Sequence, residues 1–180
     1  MKTSRTYWFM LSACTVLLAM PAQSLLAADI PSASSACVAG TIETTPSSDF
    51  TLLEGGTVVR HDTTGLEWRR CPEGMIWSDG SCTGTASTMT WQAALQYAGG
   101  VSGWRLPNVK ELRSIVERCR IPPAINQQVF PDTPSSDFWS ASPYAGNSAY
   151  AWLVSFLNGN AYWYYKSSNF GRVRLVRGGQ

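Results

Sequence analysis

The run "AYAWLVSFLNG" alternates: Trp152, Val154 and Phe156 fall on one side of an extended chain, and Leu153, Ser155 and Leu157 on the other. Such a period of two predicts a strand. Asn158-Gly159 follows, a strong hairpin-turn pair, then a second strand through Tyr162–Lys166 and a last one at "RVRLVR", completing a C-terminal meander. "FWSASPY" reads as a further strand leading into a turn. Earlier, "GTVVRHDTTGLEWRR" predicts two short strands around a turn at Asp62–Gly65, with Val58, Leu66 and Trp68 pointing inward. Between these strand regions the period changes. Thr90 caps a helix over "WQAALQYA" that Gly99-Gly100 ends. Asn108 caps a second helix, with Glu111 in the capping-box position and Val109, Leu112, Ile115 and Val116 as its apolar face. Pro122-Pro123 prevents its continuation. The pattern predicts an α+β domain, two helices packed on a mainly antiparallel sheet.

The start of the chain has a different character. Lys2 and Arg5 precede an apolar run from Tyr7 to Met20, and Pro21 and the small residues of "AQSLLAAD" follow. This is the layout of an export signal over residues 1–28, with cleavage after Ser24, Ala27 or Ala28. Leu11–Cys14 also resembles a lipobox, which would lipidate Cys14 and supply the sole expected link to a membrane. The chain has 14 Lys+Arg and 12 Asp+Glu; without Lys2 and Arg5 the basic count equals the acidic one. A near-neutral product points away from nucleic acid as a partner. Residues 29–49, rich in Ser, Thr, Ala and Pro, read as an extended arm, and folded structure is expected from Phe50 to Gln180.

Four cysteines lie beyond the signal: Cys37, Cys71, Cys82 and Cys119. An even count in an exported chain implies two disulfides, and three pairings are possible. Cys71 and Cys82 bracket "CPEGMIWSDGSC", a short turn-rich loop, which leaves Cys37 for Cys119 and would tie the arm to the body. A structural metal is not expected, because there is no C-x-x-C pair and His61 is the one histidine.

The tail "NGNAYWYYKSSNFG" sets Tyr and Trp among Ser, Asn and Gly, the mixture that binding surfaces favour. Two uses compete for these rings. Within a strand Tyr162 and Tyr164 share one face, and Trp163 and Tyr165 the other, so some of them can fill the inner side of a sheet. The surface use is preferred, since a core draws more on Val, Ile and Leu. The candidate ligand-binding residues are Tyr144, Tyr150, Leu153, Ser155, Leu157, Tyr162, Tyr164, Tyr165, Ser167, Ser168, Asn169 and Phe170. Trp104–Pro107, Trp68, Trp77 and Trp91 are assigned to structure, with Arg105 paired internally, and Arg113, Arg118 and Arg120 to a solvated helix face. Catalysis finds little support: His61 has no identifiable Ser or Cys partner, and no phosphate-cradling glycine loop occurs. No cofactor is expected. The expected partner is an extracellular protein or a glycan.

"TGLEW", "TWQAAL", "GWRLPNVKEL", "FWSASPY" and "VRLVR" occur in this order between about Gly56 and Arg177, and together they resemble the Lcl C-terminal domain family. That resemblance implies a C-type-lectin-like fold, akin to that of formylglycine-generating enzymes. It also implies an adhesin-like role, since the family includes the end domain of a bacterial collagen-like adhesin that binds host polysaccharide. This chain lacks Gly-X-Y repeats and the basic charge that would suit glycosaminoglycans. The formylglycine-generating likeness would need reactive cysteines, whereas these four are committed to disulfides. The stretch Trp139–Gln180 is also similar to the variable region of proteins diversified by retroelements, with Trp152, Val154, Phe156, Val173 and Leu175 as fixed scaffold and Trp163 assigned to the scaffold as well. Location is expected to be the periplasm, the cell surface or outside the cell.

Overall fold

The computed structural model describes residues 37–179; the expected signal over residues 1–28, with Cys14, lies outside them. Three antiparallel sheets and two helices make up the domain. The first sheet holds β1 (Phe50–Leu53), β2 (Val58–His61), β3 (Leu66–Arg69) and β9 (Val176–Arg177) in the order β1-β2-β3-β9. A hairpin of β4 (Met75–Ser78) and β5 (Ser81–Gly84) stands alone, and β6 (Asp137–Pro143), β7 (Tyr150–Ser155) and β8 (Ala161–Tyr165) form the third sheet in sequence order. The helices are α1 (Trp91–Gly99) and α2 (Val109–Arg113).

The local signals act as their chemistry dictates. Thr90 accepts a hydrogen bond from the Ala93 N–H, closing the start of α1. Asn108 accepts from the N–H groups of Lys110 and Glu111, and the Glu111 carboxylate accepts from the Asn108 N–H, a complete capping box. The four-residue turn joining β2 to β3 runs from Asp62 to Gly65, with Gly65 at φ 68°. That left-handed backbone favours glycine. Helix α2 is shorter than its apolar periodicity implies. The Ser114 N–H is shared between Lys110 O and Glu111 O, which tightens the last turn and ends the helix. Ile115 and Val116 enter the same core from the following turn. Strand β1 and the β4–β5 hairpin lack a period-two signal and emerge only in the structure.

Two clusters form the core. One joins Val59, Trp68 and Val176 of the first sheet to Leu112, Phe130, Phe138, Val154 and Phe156. The other joins Ala94 and Ala98 of α1 to Leu106, Trp139, Leu153, Val173 and Leu175. The third sheet therefore buries both faces over part of its length: Phe138 and Val154 turn to one cluster, their neighbours Trp139 and Leu153 to the other. This corrects the expectation that Leu153 and Ser155 face solvent. They are 0% and 4% exposed, because a second packed layer covers what an alternating strand usually leaves wet.

The last strand does not continue the C-terminal meander. β9 pairs with β3 through Trp68↔Val176, and Arg105↔Val176 and the parallel bridge Phe138↔Arg172 stitch the path between sheets. Val173, Leu175 and Val176 are all buried, so the segment runs through the interior instead of along an edge. Arg174 is buried with them. It donates to Arg69 O, Arg70 O and Thr133 Oγ1 and lies over the Phe130 ring at 4.8 Å. Carbonyl acceptors and a ring face replace the water it loses.

Disulfides join Cys37 to Cys119 and Cys71 to Cys82, with Cα separations of 4.8 and 5.5 Å. These are the expected pairs, and they indicate an oxidising compartment. Among the described residues no helix is long and apolar enough to cross a membrane. The described part of the arm is docked firmly. Buried Glu117 accepts from the N–H groups of Thr44 and Thr45 and from both their hydroxyls. Arg120, assigned from sequence to a solvated face, is 4% exposed and pairs with Glu43 at 2.5 Å. Tertiary docking of the arm, invisible in helical periodicity, covers it.

Candidate binding site

The register of the third sheet decides which rings meet. Tyr150 lies opposite Tyr165 and Trp152 opposite Trp163. Residues two apart in a strand share a face, so these four side chains stand on one side of the sheet. Tyr144, just beyond β6, joins them. Its ring stacks on Trp163 with centroids 5.1 Å apart and meets the edge of Trp152 at 5.6 Å. Tyr150 bridges Trp163 at 4.8 Å and Tyr165 at 4.4 Å. Hydrogen bonding of the Tyr150 hydroxyl to Tyr165 is the main cause that raises the Tyr150 phenol pKa. The result is a continuous five-ring platform. Trp163 and Tyr165 remain 43% and 51% exposed. Mutual edge and stacking contacts hold the rings in place without removing them from solvent.

The other candidates are distributed differently. Tyr164, 43% exposed, points to the opposite face and meets Phe170 edge-on at 4.9 Å; Phe170 in turn packs on buried Trp139 at 5.8 Å. Ser167 and Asn169 are exposed, and Ser168 half-buried, and all three lie on the loop between Tyr165 and Phe170. Tyr162 is half-buried against the second core cluster, and burial, then the Asp137 carboxylate, raises its phenol pKa. Leu153 and Ser155 are interior and leave the set. Leu157 is 50% exposed but sits in the β7–β8 turn, at the end of β7 away from Tyr150. Trp152 and Trp163 belong to the platform though sequence reasoning placed them in the scaffold. Both strands and the Asn158-Gly159 turn are readable in the sequence, but the register that sets Trp152 opposite Trp163 is not.

A separate cleft of about 300 Å³ lies between the first sheet and the β4–β5 hairpin, with Arg69, Glu73, Met75, Trp77 and Trp104 in its wall. Its charged groups are engaged. The Tyr97 hydroxyl donates to Glu73, and burial followed by this carboxylate pushes the Tyr97 pKa up to about 12. The Arg69 guanidinium lies over the Trp104 ring at 5.1 Å. Glu54 pairs with Arg177 at 2.5 Å. Trp68, Trp77 and Trp91 serve structure: Trp68 is fully buried, Trp77 carries Arg70 at 4.3 Å, and the Trp91 Nε1–H donates to Ser140 O at 2.8 Å. Arg105 makes a two-pronged pair with Glu111, both contacts at 2.7 Å. His61 stacks on Phe50 at 4.7 Å, and burial lowers its pKa, so the ring is a neutral packing element. Among the described residues one cluster of metal-ligating types occurs, Cys37, Glu43 and Cys119. Both its sulfurs are consumed by a disulfide and offer no thiolate.

The domain joins antiparallel sheets and two disulfides to a partly exposed platform of five rings. The chain belongs to the Lcl C-terminal domain family, whose sequence model matches residues 57–177. No curated protein matches the chain.

Proposed function

We propose that this protein is an exported, non-enzymatic ligand-binding module of adhesin-like character, with a C-type-lectin-like fold. The platform of Tyr144, Tyr150, Trp152, Trp163 and Tyr165 is the observation that supports it. Large exposed rings on a rigid sheet offer wide contact area for little loss of rotamer entropy. Contiguous exposed apolar surface of this kind costs solubility unless a partner uses it. Membership of the family supports the adhesin-like reading, and the paired cysteines support export to the periplasm, the cell surface or the medium.

The exposed Tyr, Ser and Asn positions of β8 and the loop after it stand over a buried scaffold that includes Val154, Phe156, Val173 and Leu175. That division suits diversification by a retroelement, restricted to the exposed positions. A near-copy of the codons for Trp139–Gln180, differing only at adenines and lying beside a reverse-transcriptase gene, is the expected genomic sign; its absence refutes diversification.

Binding is tested on an array of neutral and acidic polysaccharides and extracellular-matrix proteins. The Tyr150→Ala/Trp163→Ala/Tyr165→Ala variant should lose at least tenfold in affinity for whatever the native protein binds, with its fold intact by circular dichroism. Unchanged binding by this variant would overturn the platform as the site.

A further inference from the structure

We infer that the outer edge of β8 is a docking site for an extended polypeptide segment, which adds to the third sheet as a fourth strand. This rests on the platform reading and specifies the partner's chemistry. β8 is the end strand of its sheet, paired on one side only, with β7. Two hydrogen bonds set which of its residues turn inward: Lys166 N–H to Ala149 O at 2.9 Å, and Ser155 N–H to Asn160 O at 2.8 Å. In an antiparallel ladder residues alternate between bonding across the pair and bonding away from it. Asn160, Tyr162, Tyr164 and Lys166 therefore direct their backbone groups at β7. Ala161, Trp163 and Tyr165 direct theirs outward.

Those outward groups lack partners among the described residues, except that Tyr165 O accepts from the Ser168 N–H at 3.0 Å. Three N–H groups and two carbonyls are left, spaced every second residue along one line. A polypeptide backbone in extended form matches that spacing; a sugar chain does not. Natural sheet edges are ordinarily blunted by a charge, a proline or a bulge. The segment Ala161–Tyr165, "AYWYY", contains none of them, and its register to β7 is regular. Strand addition uses main-chain bonds for affinity and alternate side chains for choice of partner. Here the outward residues Trp163 and Tyr165 also carry their rings on the platform. An added strand would lay one row of side chains against those rings and the other row beside Tyr164.

The test pans a phage-displayed library of random decapeptides against the purified protein. Enriched peptides should bind the native protein and slow hydrogen exchange at the amides of Ala161, Trp163 and Tyr165. Ala161→Pro removes one outward N–H and no bond to β7, and proline is tolerated on an edge facing solvent. It should weaken those peptides at least tenfold, while Ala161→Val retains them. If Ala161→Pro does not fold, the enriched peptides are N-methylated at alternate residues. One set of positions should abolish binding and the other keep it. Equal binding to Ala161→Pro, equal effects of the two methylation sets, or no enriched peptide overturns strand addition. Loss with Trp163→Ala but not Ala161→Pro leaves the platform standing and removes the edge. Indifference to both variants removes both.

Discussion

Glu117 and Thr45 lie 72 residues apart in the chain and meet through two hydrogen bonds, the Thr45 N–H donating at 2.6 Å and its hydroxyl at 3.0 Å. With Thr44 and the Cys119 N–H also donating, the buried carboxylate is the hub that holds the arm to the body. Burial alone would raise its pKa. The backbone donors of Thr44, Cys119 and Thr45 outweigh burial and hold it below the ordinary 4.5.

The sign of the pH dependence follows from that depression. The Glu117 contribution is complete above pH 4.5 and is lost as pH falls through the lower folded-state value. Glu117→Gln keeps the shape but sets an amide against a ring of donors. It should cost about 3 kcal/mol at neutral pH in urea unfolding. It should also flatten the loss of stability of the native protein below pH 4.5. An unaltered acid limb would show that the hub is not the group titrating.

The disulfide between Cys37 and Cys119 spans a sequence separation of 82, and that between Cys71 and Cys82 one of 11. By the chain-entropy relation the first should stabilise by about 4.5 kcal/mol and the second by about 3 kcal/mol. Cys37→Ser/Cys119→Ser should therefore lower the melting temperature more than Cys71→Ser/Cys82→Ser does. The reverse order would mean that the arm adds little to the domain.

Exposed and buried residues of the tail should separate cleanly in thermal unfolding. Tyr165→Ala removes ring contacts from the platform and should cost less than about 1.5 kcal/mol. Leu153→Ala opens a hole in the second core cluster and should cost about 2–5 kcal/mol. Equal costs would place the Tyr165 ring inside the fold.

Gly159 has φ 75°, and a Cβ there would stand 2.7 Å from Val116 Cγ1. Gly159→Ala combines backbone strain with overlap against the core and should cost about 2–3 kcal/mol. A Cβ at Gly171 would overlap the Trp139 indole, so Gly171→Ala should displace the bridge between Met89 and Gly171. Chemical denaturation of the two variants measures both costs; a neutral Gly159→Ala would refute the close approach.

Much of the local structure was legible from residue types alone. Thr90 and Asn108 cap because their side-chain oxygens reach unpaired N–H groups within three residues. Asn158-Gly159 turns because glycine takes φ 75° without cost. Alternation in β7 marked a strand, since a period of two is a property of the backbone. The same alternation could not say which face was wet. Leu153 is interior because α1, Trp139 and Leu175 form a second layer, and those contacts join segments far apart in sequence.

By itself, then, the sequence determined both helix caps, the strands β2, β3, β6, β7 and β8, the short Cys71–Cys82 loop that leaves Cys37 for Cys119, and an aromatic tail placed among Ser, Asn and Gly, because these follow from local stereochemistry and composition. The tertiary structure alone decided that Trp152 and Trp163 join Tyr144, Tyr150 and Tyr165 in one platform, that β9 returns to β3, and that Arg120 and Arg174 are interior. Strand register, layer stacking and the docking of the arm are set by contacts between distant residues, and no window along the chain contains them.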